Sequence, residues 1–173
     1  SYEKLMRKTR LDLLRGRVLE MGFVQTPDNF KDYSGGDLYG IDVQEMEKPS
    51  WYREVKKTDL NREKIPYGND FFDTVFVGDL ILHVANPSAL LAECNRVLKE
   101  NGRLILVLIN PHYYWHVFTT VFLKYFNFVD DQHLCSFTRY DIRNILRKSG
   151  FVLTKETGYG FELVKFHWKF SLF

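Results

Sequence analysis

The sequence predicts a three-layer α/β sandwich around a seven-stranded, mostly parallel sheet that ends in a C-terminal antiparallel hairpin. Apolar runs and amphipathic segments alternate along the chain, which is the pattern of parallel strands joined by crossover helices. The first apolar run stops at Gly22, and the second closes with Asp42 about twenty residues later, a spacing typical of open nucleotide-binding sheets. Gly158 and Gly160 separate two more strand-like runs near the end of the chain.

Each strand is predicted from its apolar character and from the turn residues that flank it. The strongest is 103–109, which Gly102 and Pro111 bound. The segment 25–36 contains Pro27 and many polar residues, so it leaves room for only a turn or two of helix. The predicted strands cover residues 17–22, 38–42, 53–57, 71–77, 103–109, 151–157 and 163–172.

Three helices are predicted from apolar spacing and from capping residues. Residues 2–14 form an amphipathic segment before the first strand. Asn86–Pro87 opens a second helix and Asn101–Gly102 closes it, with Cys94 on its apolar face. A cysteine in that place indicates core filling rather than a nucleophile. Thr138–Asp141 starts the third helix with the pattern of a capping box.

Residues 112–129 are dense in aromatic side chains and predict a helical insertion or lid after the fifth strand. His112 and His116 would share one helix face, and His133 and Cys135 follow. The sequence places no carboxylate between the two histidines, so we predict no metal site and expect these histidines at the substrate mouth or on the surface.

Composition predicts one globular domain over residues 1–173, with 45% hydrophobic and 27% charged residues. A net charge of +2 and the absence of a polybasic run argue against a nucleic-acid partner. Two isolated cysteines fit a reducing compartment. The chain contains no apolar stretch long enough for a transmembrane helix, and its first residues do not resemble a signal peptide, so we expect a cytoplasmic protein.

Four segments carry a resemblance to a known family: 59–73, 82–87, 90–102 and 137–142. Together they closely resemble class I S-adenosylmethionine-dependent methyltransferases, and more narrowly the small-molecule group called type 11. The resemblance extends over about residues 17–157. It implies a Rossmann-like fold, S-adenosylmethionine as cofactor, and methyl transfer to a small-molecule or glycan-like acceptor.

The resemblance also implies a set of cofactor-binding residues. The carboxylate of Asp42 would accept hydrogen bonds from both ribose hydroxyls, a role that suits its paired oxygens. Glu20 and Gly22 would lie near the methionine end, Asp59 and Leu60 near adenine, and Asp79 and Leu80 near the methyl group. The complete predicted set is Glu20, Gly22, Asp42, Val43, Asp59, Leu60, Asp79 and Leu80. If a general base is used, His83 or His112 is the candidate, although His83 also fits a structural role.

The glycine-rich loop departs from the family pattern. Only Gly22 is present in 20–26, and Val24 stands where the cofactor normally touches backbone. Overpacking of that kind costs a few kcal/mol, enough to remove about 100-fold in affinity unless the loop relaxes. A rival hypothesis is therefore a catalytically inactive methyltransferase-like protein that serves as a binding or partner subunit. A protein partner or a homodimer stays open.

Overall fold

The computed structural model describes residues 11–109, 134–135, 137–159 and 167–172. Within these residues, seven strands join one sheet in the order β3-β2-β1-β4-β5-β7-β6. The strands are β1 (Val18–Met21), β2 (Leu38–Asp42), β3 (Glu54–Lys57), β4 (Phe72–Val77), β5 (Leu98–Ile109), β6 (Leu153–Tyr159) and β7 (His167–Leu172).

Strands β1 to β5 are parallel, which confirms the Rossmann-like α/β class. The strand order runs outward from β1 to β3 in one direction and from β4 onward in the other. The strand order therefore reverses between β1 and β4, and the connections that follow these two strands lie on opposite faces of the sheet. Open α/β sheets bind ligands at such a reversal point, beside the carboxyl ends of the strands. In the register, Glu20 lies opposite Gly40 and Phe76, so three strands meet at this level.

The edge beyond β5 is antiparallel. Strand β7 is antiparallel to both of its neighbours, β5 and β6. The parallel part thus has five strands, not seven. Residues 160–166, which connect β6 to β7, lie outside the described residues, so the predicted hairpin connection stays a prediction.

Helix α1 (Pro87–Val97) begins as its sequence predicts, because the Asn86 side chain accepts a hydrogen bond from the Ala89 amide at 3.0 Å. Helix α2 (Arg139–Lys148) has the complete capping box: Thr138 and Asp141 each accept from the other's backbone amide. A 3-10 helix, Asp79–Leu82, follows β4. Cys94 of α1 is fully buried, and burial raises the pKa of its thiol, which agrees with core filling.

Alternate residues of the strands face two separate apolar clusters. The first core contains Leu19, Ile41 and Val75 and lies beneath α1 and α2. The second core lies on the other face, with Val18, Leu38, Phe76 and Ile105 from the strands. In the described part of the chain, Phe23, Phe30 and Tyr52 cover this second core from irregular segments. The helices of the predicted third layer stay a prediction.

The junction between α1 and β5 differs most from the sequence prediction. Helix α1 ends at Val97, and β5 begins at once, because Leu98 already pairs with Phe72 of β4. Asn101–Gly102 therefore forms an irregularity within a long strand, with φ of 61° at Asn101, and the prediction that it closes the helix was wrong. Between β1 and β2 the chain makes turns only, as Pro27 indicated.

The predicted helix over 2–14 lies almost wholly outside the described residues, and the aromatic segment 112–129 lies outside them entirely. Among the helices that the structure does describe, none has the length and apolar character needed to cross a membrane.

Candidate functional site

A cleft of about 330 Å³ opens at the carboxyl ends of β1, β2 and β4. It lies at the point where the strand order reverses, as the α/β topology predicts. Its lining residues come from the strand ends and the loops that follow them: Glu20, Met21, Gly22, Gln25, Thr26, Asn29, Asp42, Val43, Gln44, Phe76, Gly78, Leu80, His83 and Val107. Five predicted cofactor residues, Glu20, Gly22, Asp42, Val43 and Leu80, are thereby brought together.

Gly22 directly follows β1 and has a left-handed conformation with φ of 75°. Its amide donates to the Ile41 carbonyl at 2.9 Å, which ties the loop to β2. A Cβ atom at this position would lie 3.6 Å from Leu80 Cβ, an ordinary contact. The glycine is therefore required by its backbone conformation rather than by lack of space.

The two bulky residues after Gly22 do not line the cleft. Phe23 is buried in the second core, where its ring centroid lies 5.0 Å from that of Tyr52. The ring fits because Gly40 has no side chain: a Cβ there would lie 2.8 Å from Phe23 Cδ1. Val24 is partly buried and packs against the same core. Both side chains are thus accommodated by packing on the second-core face.

The Asp42 carboxylate is buried and holds the loops on either side of it. Its Oδ2 accepts from the Val24 amide at 3.1 Å, and its Oδ1 accepts from the Gln44 amide at 2.9 Å. Each oxygen keeps further acceptor capacity, because an ionised carboxylate has about four lone-pair sites. Asp42 therefore fixes the loop geometry and can still accept hydrogen bonds from a ligand.

Glu20, in β1, is the most deeply buried acid of the cleft, with 1% of its surface exposed. Its Oε1 accepts from Asn29 Nδ2 at 2.9 Å, and its Oε2 accepts from the Tyr52 hydroxyl at 2.5 Å. Burial and the Glu20 charge raise the pKa of Tyr52, so the hydroxyl stays protonated and donates. These donors compensate the cost of burying a carboxylate.

The 3-10 helix after β4 supplies the remaining wall of the cleft. Leu80 and His83 both line it, and the His83 amide donates to the Leu80 carbonyl at 2.9 Å. The structure describes the backbone of Asp79 but not its side chain, so its predicted place near the methyl group stays a prediction. His112 lies outside the described residues altogether.

Asp59 and Leu60 are not among the cleft-lining residues. Asp59 accepts from the Asn61 amide at 3.0 Å and pairs with Arg62 at 3.4 Å, while Leu60 packs against the first core. The Asn61 side chain in turn accepts from the Ala85 amide at 2.7 Å, which joins this turn to the loop before α1. The predicted adenine contacts therefore stay a prediction. Across the described residues, no group of three acidic, histidine or cysteine side chains could hold a metal ion.

The sequence did not predict several residues that line the cleft, among them Gln25, Asn29 and Gln44. It also did not predict Tyr52, which contacts the cleft-lining Glu20 without lining the cleft itself. Asn29 falls in the segment 25–36, for which the sequence predicts only a turn or two of helix, although an amide in the loop after the first strand is a recognisable polar signal. Tyr52 had no signal in the sequence, because its contact with Glu20 joins positions far apart in the chain.

Comparison with known proteins gives three kinds of match. The family model described as "Methyltransferase domain" matches residues 4–156. A curated, uncharacterised protein of Methanocaldococcus jannaschii is 26% identical over 114 residues, which are 63% of this chain and 52% of that protein. The chain thus spans about half the length of that relative.

Solved structures share the fold. A SAM-dependent methyltransferase from Aquifex aeolicus superimposes with a TM-score of 0.65 at 19% identity, covering 98% of this chain and 87% of the other. The 1,6-didemethyltoxoflavin-N1-methyltransferase of Burkholderia thailandensis, solved with 1,6-didemethyltoxoflavin and S-adenosylhomocysteine, gives 0.67 at 14% identity, covering 99% and 76%.

Proposed function

Because the chain belongs to the methyltransferase domain family, we propose that it transfers a methyl group from S-adenosylmethionine to a small-molecule or glycan-like acceptor. One observation carries the proposal: Glu20, Gly22 and Asp42 line a single cleft at the reversal point of the sheet. Its volume of about 330 Å³ falls within the usual range of small-ligand sites.

The residues present fit this cofactor. Asp42 has acceptor capacity for the ribose hydroxyls, and Gly22 offers a bare backbone at the end of β1. Leu80 adds an apolar wall, while Asn29 and Gln44 add polar groups. Val43 follows Asp42 and is 55% exposed beside the cleft, so it is available to cover a flat ring.

S-adenosylmethionine supplies an activated methyl group whose transfer to an oxygen, nitrogen or carbon leaves S-adenosylhomocysteine. The protein contributes chiefly by positioning, because holding two reactants in line removes much of the entropic barrier. An acceptor that must lose a proton needs a base within hydrogen-bond reach. His83 is the candidate among the described lining residues, and it would take that proton on a ring nitrogen.

The rival hypothesis of a non-catalytic subunit rests on the shortened connection after β1, which contains Pro27, and on the broken glycine loop, in which Phe23 and Val24 would obstruct the cleft. Both side chains pack against the second core instead, with Gly40 opening the space for Phe23. This packing supports the enzyme. The small-molecule acceptor is supported by analogy with the Burkholderia thailandensis enzyme, whose name specifies a small heterocycle.

The test is calorimetric titration of the protein with S-adenosylmethionine and with S-adenosylhomocysteine. We expect saturable binding at micromolar concentration, weakened at least about tenfold in Asp42→Ala. Asp37→Ala is the matched control, since Asp37 pairs with Arg53 on the surface at 3.8 Å and does not line the cleft. Absence of heat and of a thermal shift at millimolar ligand would refute the proposal. Saturable binding would be followed by a screen of acceptors.

A further inference from the structure

The loop after β1 is held to the rest of the domain by the segment just before β3. The Trp51 indole Nε1 donates to the Pro27 carbonyl at 3.1 Å. The adjacent Tyr52 packs its ring against Phe23 at an interplanar angle of 46° and donates its hydroxyl to Glu20. Trp51 and Tyr52 therefore contact the loop at two points, Phe23 and Pro27, and also contact the strand β1 that precedes it.

Tyr52 does not itself line the cleft, but its hydrogen bond reaches the cleft through Glu20. Tyr52 has 1% of its surface exposed, so the hydroxyl has no access to water as an alternative partner. The other oxygen of the same carboxylate accepts from Asn29, whose side chain forms part of the cleft wall. Asn29 and Tyr52 thus both help to orient the Glu20 carboxylate, one through each oxygen.

We propose that Tyr52 is a positioning residue for the cofactor cleft: its hydroxyl fixes the Glu20 carboxylate, which holds Asn29 at the cleft wall. This inference rests on the proposed function. A loop with few glycines needs such an anchor, because its geometry is set by side-chain contacts rather than by close backbone approach. Without the hydroxyl, the buried carboxylate loses one of its donors, and the carboxylate and Asn29 rearrange.

The chain offers a matched control. Tyr67 also donates its hydroxyl to a carboxylate, that of Glu54, at 3.0 Å. The same burial and charge effects raise the pKa of Tyr67. Neither Tyr67 nor Glu54 lines the cleft. Tyr52→Phe and Tyr67→Phe therefore remove the same kind of bond, one connected to the cleft and one not.

The experiment compares wild type, Tyr52→Phe and Tyr67→Phe by thermal melting and by calorimetric titration with S-adenosylhomocysteine. We expect both variants to melt at lower temperature than wild type. The dissociation constant should rise about tenfold in Tyr52→Phe, the loss of one hydrogen bond to a charged group. It should stay at the wild-type value in Tyr67→Phe.

The outcomes separate this inference from the proposed function. Tight binding by Tyr52→Phe, or equal weakening in Tyr67→Phe, would overturn the positioning role and leave the proposed function intact. Failure of wild type to bind would overturn both. If Tyr52→Phe does not fold, Asn29→Ala removes a second donor to Glu20 from a less buried position, and undiminished binding by that variant would overturn the inference.

Discussion

Gly40 and Phe23 form the contact on which the loop after β1 depends, and Gly40→Ala tests it. A Cβ at residue 40 would lie 2.8, 3.0 and 3.1 Å from three atoms of the Phe23 ring. Distances below about 3.0 Å require a shift, and the ring has little freedom because it packs against Tyr52. Either β2 or the loop must therefore move.

Overpacking of this kind costs about 1–3 kcal/mol. For a domain of this size, each kcal/mol lowers the melting temperature by about 2–4 °C. We expect Gly40→Ala to melt roughly 2–12 °C below wild type. Binding of S-adenosylhomocysteine should weaken as well, because Phe23 precedes Val24, whose amide is bonded to Asp42.

The assay is thermal melting of a double-mutant cycle with Phe23→Leu. The smaller side chain should destabilise the wild-type background but cost less in Gly40→Ala, giving a favourable coupling of about 1 kcal/mol or more. Gly68→Ala is the control, since a Cβ there would meet no atom within 4 Å. A melting temperature of Gly40→Ala equal to that of Gly68→Ala, or additive effects in the cycle, would refute the packing argument.

Three further predictions concern Gly22 in the cleft, an ion pair on α1 and the cap of α2. Gly22→Ala should cost about 1–2 kcal/mol and weaken cofactor binding, because φ at residue 22 is left-handed; unchanged melting and unchanged calorimetry would contradict it. The Arg96 hydrogen bond lowers the pKa of Glu93 below its ordinary 4.5, so Glu93 adds stability above that pH which is lost as pH falls through the folded-state pKa. The free energy of unfolding, measured with denaturant between pH 6 and pH 3, should therefore fall less steeply in Glu93→Gln than in wild type. Equal slopes of this free energy against pH in the two proteins would contradict this. Thr138→Ala removes the cap of α2 and should lower the melting temperature by about 2–4 °C, with Ser88→Ala, which does not cap α1, as the control.

Features set by a few neighbouring residues were predictable from the sequence. The capping box of Thr138 and Asp141 needs only residues three apart, and the structure contains it. Gly22 and Asp42 line the same cleft because parallel strands present their carboxyl ends at the same edge, and their predicted contacts with the cofactor stay a prediction.

Features set by distant contacts were not predictable. The direction of the Phe23 side chain depends on Gly40, which belongs to another strand. The hydrogen bond from Tyr52 to Glu20 likewise joins segments that no local pattern connects. Asn101–Gly102 was misread as a helix end because the same dipeptide also suits an irregularity within a strand, and only pairing of Leu98 with Phe72 decides between them.

The interlocking of Phe23, Gly40 and Tyr52 has a consequence for how this loop can change over time. Where closely spaced glycines shape a loop, one substitution within a short contiguous motif is enough to alter it. Here the requirement is divided among a loop, a strand and a connecting segment, so a larger residue at 40 is tolerable only together with a smaller one at 23. Substitutions at these positions should therefore occur in compensating combinations, and a search for contiguous glycines would pass over proteins built in this way.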